Sequence, residues 1–178
     1  MRSDVRKITS GAYRAGSLAF LVALAAIVAA LGFEHLGGYV PCPLCLQQRY
    51  AYYLAIPLLF AGLVLYTSEK SQPAALLFAV VALAFLLNAI LGIYHAGAEL
   101  KLWEGPATCA ASSANVSASA ADLMRSLGQT RIIRCDEAPW HLFGLSFAGW
   151  NALISAFLCI TAFQAAYAAQ TDARLARE

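Results

Sequence analysis

The sequence predicts an all-α membrane protein, a four-transmembrane-helix bundle with a long outer loop between its third and fourth helices. Three observations predict it. Of 178 residues, 61% are hydrophobic and 12% charged, against about 45–50% and about 25% in soluble domains. The charged residues leave four long gaps: 19 residues between Arg14 and Glu34, 19 between Arg49 and Glu69, 28 between Lys70 and Glu99, and 34 between Glu137 and Asp172. One helical crossing of a hydrocarbon core needs about 20 residues. The length suits a single domain, residues 1–178,. A net charge of +2 is too balanced for the basic footprint of nucleic-acid binding, so membrane lipid is expected as a neighbour and nucleic acid is not,.

The first helix, about residues 15–33, follows a basic tail (Arg2, Arg6, Lys7, Arg14) and ends at Glu34 and His35. A competing reading makes it a cleaved signal peptide ending at Val28-Ala29-Ala30. Its apolar run exceeds the 7–15 residues usual in such signals, which favours retention. The second helix, about 44–67, opens after Pro41 and Pro43, and Pro57 is read as a kink within it. The third, about 73–94, ends with His95 at the outer surface. The fourth, about 145–167, follows the polar loop. Tyr13, Tyr66 and Tyr167 at one end, with Tyr50, Tyr94, Trp103 and Trp140 at the other, fit two interfacial belts,.

Four crossings put both termini on one side. Lys and Arg favour the cytoplasmic flank, and the strongly basic N-terminal tail therefore places the termini inside and the segments 34–43 and 95–144 outside. Within the longer segment Val116, Ala120, Leu123, Met124 and Leu127 recur at helical spacing, with Gly128 as a stop,. That short helix either lies on the membrane surface or packs on the bundle.

Five cysteines divide unevenly across this topology: Cys42, Cys45, Cys109 and Cys135 outside, and Cys159 inside the fourth helix. An oxidising compartment permits disulfides. Four cysteines allow three connectivities, of which Cys42 with Cys45 and Cys109 with Cys135 are the natural pairs. Cys42-Pro43-Leu44-Cys45 has the C-x-x-C spacing of dithiols built for exchange,. It opens a membrane helix, whose free N–H groups favour a thiolate. Arg49, at i+4 from Cys45, is expected to make Cys45 the better stabilised sulfur. The alternative for Arg49 is an interfacial anchor whose charge snorkels to water. The alternatives for the C-x-x-C are an inert staple or a zinc site, but a zinc ribbon wants a second close pair, so no metal is expected. The Cys109/Cys135 pair is either a structural staple of the loop, worth roughly 3 kcal/mol, or an exposed disulfide open to an incoming thiolate. Two outside pairs suggest an electron relay. Its terminal acceptor is expected in the membrane, since no flavin, haem or nucleotide fingerprint is present.

The run Pro41-Cys42-Pro43-Leu44-Cys45-Leu46-Gln47-Gln48-Arg49-Tyr50, the distant Cys109 and Cys135, and Phe143-Gly144-Leu145-Ser146 together resemble the bacterial disulfide-bond formation protein B (DsbB) family over essentially the whole chain. The resemblance implies a quinone-dependent thiol oxidoreductase of the inner membrane, using ubiquinone or menaquinone. Its implied partner is a periplasmic thioredoxin-fold thiol oxidase, DsbA-like, and the DsbA–DsbB pair keeps the periplasm oxidising. It further implies that Cys109 forms the mixed disulfide with the partner, that Cys135 passes electrons to Cys42, and that Cys45 faces the quinone beside Arg49.

Asn88, His95 and Asn151 could line the quinone head-group pocket. The simpler alternative is that both asparagines bond across helices and His95 is an interfacial ring. Cys159 is read as an inert small apolar residue. Two rival functions stand beside the relay. One is a membrane thiol oxidoreductase of the vitamin K epoxide reductase type, which would carry its C-x-x-C late in the chain. The other is a non-enzymatic membrane protein braced by disulfides or metal.

Overall fold

The computed structural model describes residues 10–105 and 140–177. Four long helices are present: α1 (Gly11–His35), α2 (Pro43–Thr67), α3 (Ser71–Glu99) and α4 (Phe147–Leu175). A two-stranded antiparallel hairpin, β1 (His141–Leu142) and β2 (Leu145–Ser146), leads into α4. Each helix is long and apolar enough to cross a membrane. The chain is a multi-pass four-helix membrane bundle, the class that its charge-free gaps predict.

The helices put large apolar side chains outward and small ones inward. Leu21, Val28, Phe60, Leu87, Ile93 and Phe163 are exposed on the bundle surface, where lipid rather than water would meet them. Ala12, Gly16, Ala19 and Ala23 of α1, and Ala162, Ala165, Ala166 and Ala169 of α4, are buried. Lipid is as apolar as leucine, so membrane helices associate through close packing of small residues. α3 and α4 share the most extensive interface, and at Gly92 a Cβ would stand 3.0 Å from the Ala152 Cα. Phe78, fully buried, fills the space left by Gly16 and Gly62, where added Cβ atoms would meet its ring at 3.1 and 2.7 Å.

Three helix N-termini are capped by side chains that accept an orphan N–H. Ser10 accepts from Tyr13, Cys42 from Cys45, and Ser146 from Gly149. Phe143 and Gly144 both have positive φ, 52° and 81°, the pair of conformations that a two-residue type I′ hairpin requires. The hairpin register pairs His141 with Ser146, and Trp150 Nε1 donates to the Leu142 carbonyl at 3.1 Å.

The helix ends differ from those expected from hydropathy. Leu145 and Ser146 were expected to open the fourth helix; they form β2, and Ser146 becomes the cap of a helix starting at Phe147. α3 does not stop at Tyr94 but continues through His95 to Glu99, because Ala96 and Ala98 are strong helix formers, while Gly97 leaves the space that the Trp103 ring occupies. It ends where Lys101 takes a positive φ and Trp103 folds back, stacking on Tyr94 and donating from Nε1 to its carbonyl. α2 runs as one helix through Pro57. Cys109, Cys135 and the stripe from Val116 to Leu127 lie outside the described residues.

The two ends of the bundle are built differently. At one end the Tyr66 hydroxyl of α2 donates to Asp172 of α4 and lies 2.8 Å from the hydroxyl of Ser10, the cap of α1. Both described chain ends therefore meet at this end. The α1–α2 turn and the hairpin frame the other.

Candidate functional site

Cys42 caps α2 and Cys45 occupies its first turn, so one i, i+3 step turns both sulfurs the same way. Their Sγ atoms are 2.7 Å apart, and the Cys45 backbone N–H donates to Cys42 Sγ at 3.2 Å. A disulfide can therefore close here with little movement of the helix. Pro43 at the first helical position removes an N–H that would have had no partner,.

A hydrogen-bonded chain runs from this pair across three helices. His95 Nε2 of α3 lies 3.6 Å from Cys42 Sγ, and its Nδ1 lies 3.0 Å from the Gln48 Nε2 of α2. Asn151 of α4 donates from Nδ2 to Gln48 Oε1 at 2.7 Å, and the Tyr52 hydroxyl donates to Asn151 Oδ1 at 2.8 Å. With the Gln48 amide donating to Nδ1, the imidazole carries its proton on Nε2 and presents it to Cys42. Glu99, one turn beyond His95, places Oε1 3.8 Å from Nε2 and accepts from the Ser146 hydroxyl. His95 is 1% exposed and Gln48 5%, and buried polar groups of this kind persist because their partners are present.

Cys42 stands just outside the membrane-spanning part of α2. The hydrogen bond with the Cys45 thiol, followed by those with His95 and the Cys45 N–H, outweighs burial and holds its thiol below the ordinary range. The i+4 spacing puts Arg49 on the Cys45 face of α2. In the structure the Arg49 guanidinium instead pairs with Glu34, at the end of α1, while the donors converge on Cys42. Sequence proximity gave the i+4 neighbour of Cys45 but not the carboxylate that α1 delivers to it.

Cys42, Cys45, Gln48, Arg49, His95, Glu99 and Asn151 line one cavity of about 790 Å³. Its far wall is aromatic: Phe33, Trp140 and Phe147 pack with ring centroids 4.9–5.3 Å apart, and Tyr39 closes the edge at 6.0–6.2 Å. The wall is mostly apolar with a few convergent polar groups, the usual build of a small-molecule site. Of the residues expected around a quinone, Arg49, His95 and Asn151 are brought together here. Asn88 is not. It donates to Ser155 Oγ at 2.9 Å deeper between α3 and α4, because seven residues along a helix is two turns, or about 10 Å. Cys159 is a free thiol packed at the edge of the core.

Sequence reasoning missed Glu34, Gln48, Tyr52 and Glu99. Cys45, Gln48 and Tyr52 share an i, i+3, i+7 face, and polar groups on a buried face of a membrane helix are themselves a signal. Glu99 was hidden by ending the third helix too early; its i+4 relation to His95 appears once the helix is continued.

The family described as "Disulfide bond formation protein DsbB" matches residues 13–165 of the chain. A curated relative from Marinobacter nauticus, named Disulfide bond formation protein B, is 28% identical over 151 residues, which is 80% of this chain and 84% of that protein. No solved structure matches the chain.

Proposed function

Because this chain belongs to the disulfide bond formation protein DsbB family, and is thus a membrane disulfide-bond formation protein, we propose that it is a thiol:quinone oxidoreductase that reoxidises a periplasmic DsbA-like dithiol oxidase. In this reading the Cys42 end faces the periplasm and both termini face the cytoplasm of an inner membrane. The reduced partner's thiolate attacks Cys109 of the Cys109–Cys135 disulfide and frees Cys135, the partner's second thiol resolves the mixed disulfide so that the partner leaves oxidised, and the resulting Cys109/Cys135 dithiol reduces the Cys42–Cys45 disulfide, Cys135 passing the electrons to Cys42. Each step breaks one S–S bond and makes another. Two electrons and two protons per cycle then leave Cys42 and Cys45 as their disulfide re-forms.

The observation that carries the reading is the cavity of about 790 Å³ that opens on both sulfurs and joins an aromatic wall to Arg49, His95 and Asn151. A flat apolar ring with carbonyl oxygens fits that wall and those donors. Bound there, a quinone supplies the two-electron, two-proton acceptor. The chain's residues do the rest. Arg49 offers planar donors to a carbonyl oxygen, the aromatic wall excludes water, and His95 holds a proton at Nε2 facing Cys42. The Tyr52–Asn151–Gln48 chain holds that imidazole in place, as outer hydrogen bonds commonly do for a working histidine. The vitamin K epoxide reductase alternative has no support here, since the C-x-x-C caps the second helix.

The test is quinone reduction by the purified protein, followed by quinone absorbance, with a reduced periplasmic thiol oxidase as donor. Turnover that needs both proteins and disappears in Cys42→Ser is expected. Reduced partner and intact enzyme that leave quinone unchanged would overturn the reading.

A further inference from the structure

The cavity gathers donors whose combination exceeds what electron transfer needs. Cys42 Sγ, Cys45 Sγ and His95 Nε2 all lie within 4.8 Å of one another. Glu99 Oε1 is 3.8 Å from the same Nε2. Two thiols, an imidazole and a carboxylate are the donor types of zinc sites. They come from the start of α2 and the end of α3, with Cys42 and His95 53 residues apart, so this donor set is not the pair of close cysteine pairs of a zinc ribbon.

We propose that the dithiol form of this site captures one thiophilic divalent cation, Zn²⁺ or Cd²⁺, on Cys42, Cys45 and His95, with Glu99, which lies outside that cluster, reaching the fourth position by a shift of its side chain, and that the disulfide form does not.

The geometry is close to what such an ion requires. Zn–S of about 2.3 Å and Zn–N of about 2.0–2.1 Å in a tetrahedron set sulfur and nitrogen roughly 3.5 Å apart; Cys42 Sγ and His95 Nε2 are 3.6 Å apart. The sulfurs must open from 2.7 Å to about 3.8 Å for the same tetrahedron. Cys42 sits at the cap, with extended backbone at φ −75° and ψ 163°, so its side chain is free of the rotamer limits inside a helix. For Nε2 to bind metal, Nδ1 must carry the proton. Turning the Gln48 and Asn151 amides together, so that the Gln48 oxygen faces Nδ1, its NH2 donates to Asn151 Oδ1 and the Tyr52 hydroxyl accepts from Asn151, supplies the outer hydrogen bond that metal-binding histidines almost always make. Arg49 lines the same cavity and offsets the surplus negative charge of two thiolates and a carboxylate around a divalent ion.

Binding releases to water the thiol protons that the two sulfurs still carry and changes no oxidation state. Oxidation removes the site, because the S–S bond takes the electron pairs that the metal would share. A bound cation in turn holds apart the two sulfurs that must pair. The site is therefore redox-gated and competes with disulfide closure.

The test uses the full-length protein in detergent with Cys109→Ser and Cys135→Ser, so that the loop sulfurs contribute nothing. The phosphine-reduced and the oxidised forms are each titrated with Cd²⁺, read by the ultraviolet thiolate-to-cadmium band and by elemental analysis. One cadmium per chain in the reduced form and none in the oxidised form is expected. Cadmium NMR should report two sulfurs plus nitrogen. Glu99→Gln, a near-isosteric change, should weaken binding by about tenfold, and His95→Ala by more. Equal binding to both redox forms would overturn the proposal, as would reduced-form affinity untouched by both substitutions, which would mean that the C-x-x-C chelates alone. The readout uses neither quinone nor partner, so its failure leaves the electron relay standing and the relay's failure leaves it standing.

Discussion

At Cys42 the chemistry is set by who donates to the sulfur. Three hydrogen-bond donors face it: the Cys45 thiol, the Cys45 N–H and the His95 ring. A thiol held below its ordinary range stays ionised, and so reactive, as pH is lowered from neutral, and loses reactivity only when pH falls through the lowered pKa,. Alkylation of Cys42 in the reduced protein, followed by mass spectrometry against pH, should therefore show a rate that is flat through neutrality. A rate already declining from about pH 8.5 downward, as for a free cysteine, would contradict the donor arrangement. Arg49 gives a second residue-scale outcome. Arg49→Lys keeps a cation for Glu34 but loses the planar fork, and an ammonium is a strongly hydrated point charge. The quinone KM should rise up to about tenfold, about 1.4 kcal/mol, while single-turnover oxidation of the partner is kept. An unchanged KM would leave Arg49 as an interfacial anchor whose charge snorkels to water.

Between elements, the positions that matter are those where a helix backbone touches its neighbour. A Cβ added at Gly92 of α3 would stand 3.0–3.1 Å from the Ala152 backbone, and Ala152 follows the Asn151 that holds Gln48. Gly92→Ala can be accommodated only by moving the helices apart, since a backbone cannot rotate away as a side chain can. The expected cost is about 1–3 kcal/mol, read as a lower Tm in detergent, together with slower quinone reduction; a variant with wild-type Tm would show that the interface is looser than it looks. Element by element, the fold was legible because charge-free gaps mark crossings, and the C-x-x-C was legible because its chemistry is local. What stayed hidden is non-local or marginal in hydropathy. The overrun of α3 to Glu99 lies past the apolar run, the hairpin depends on positive φ at Phe143 and Gly144, and the pairing of Arg49 with Glu34 joins two helices. Asn88 and Asn151, judged alike from their depth, separate because only one of them faces the cavity.

Taken whole, the bundle is fastened at one end and hollow at the other. Tyr66, Ser10 and Asp172 tie α1, α2 and α4 together at the end away from the sulfurs. Tyr66→Phe should lower stability by about 1–3 kcal/mol, the usual result of leaving buried polar partners unmet, with no change in quinone KM; a KM shift would show that the two ends are coupled. The hollow end has an optical property. The chain has three tryptophans, and all of them are there: Trp140 and Trp150 line the cavity, and Trp103 stacks on Tyr94 near the end of α3. Ultraviolet excitation of the indoles therefore illuminates one end of the molecule and leaves the fastened end dark. A quinone entering beside Trp140 should quench that emission in a saturable way whose midpoint is its Kd, and Trp140→Phe should remove much of the response while Trp103→Phe removes little. The aromatic wall thus gives the wild-type protein an intrinsic lamp trained on its own binding chamber, with no dye attached.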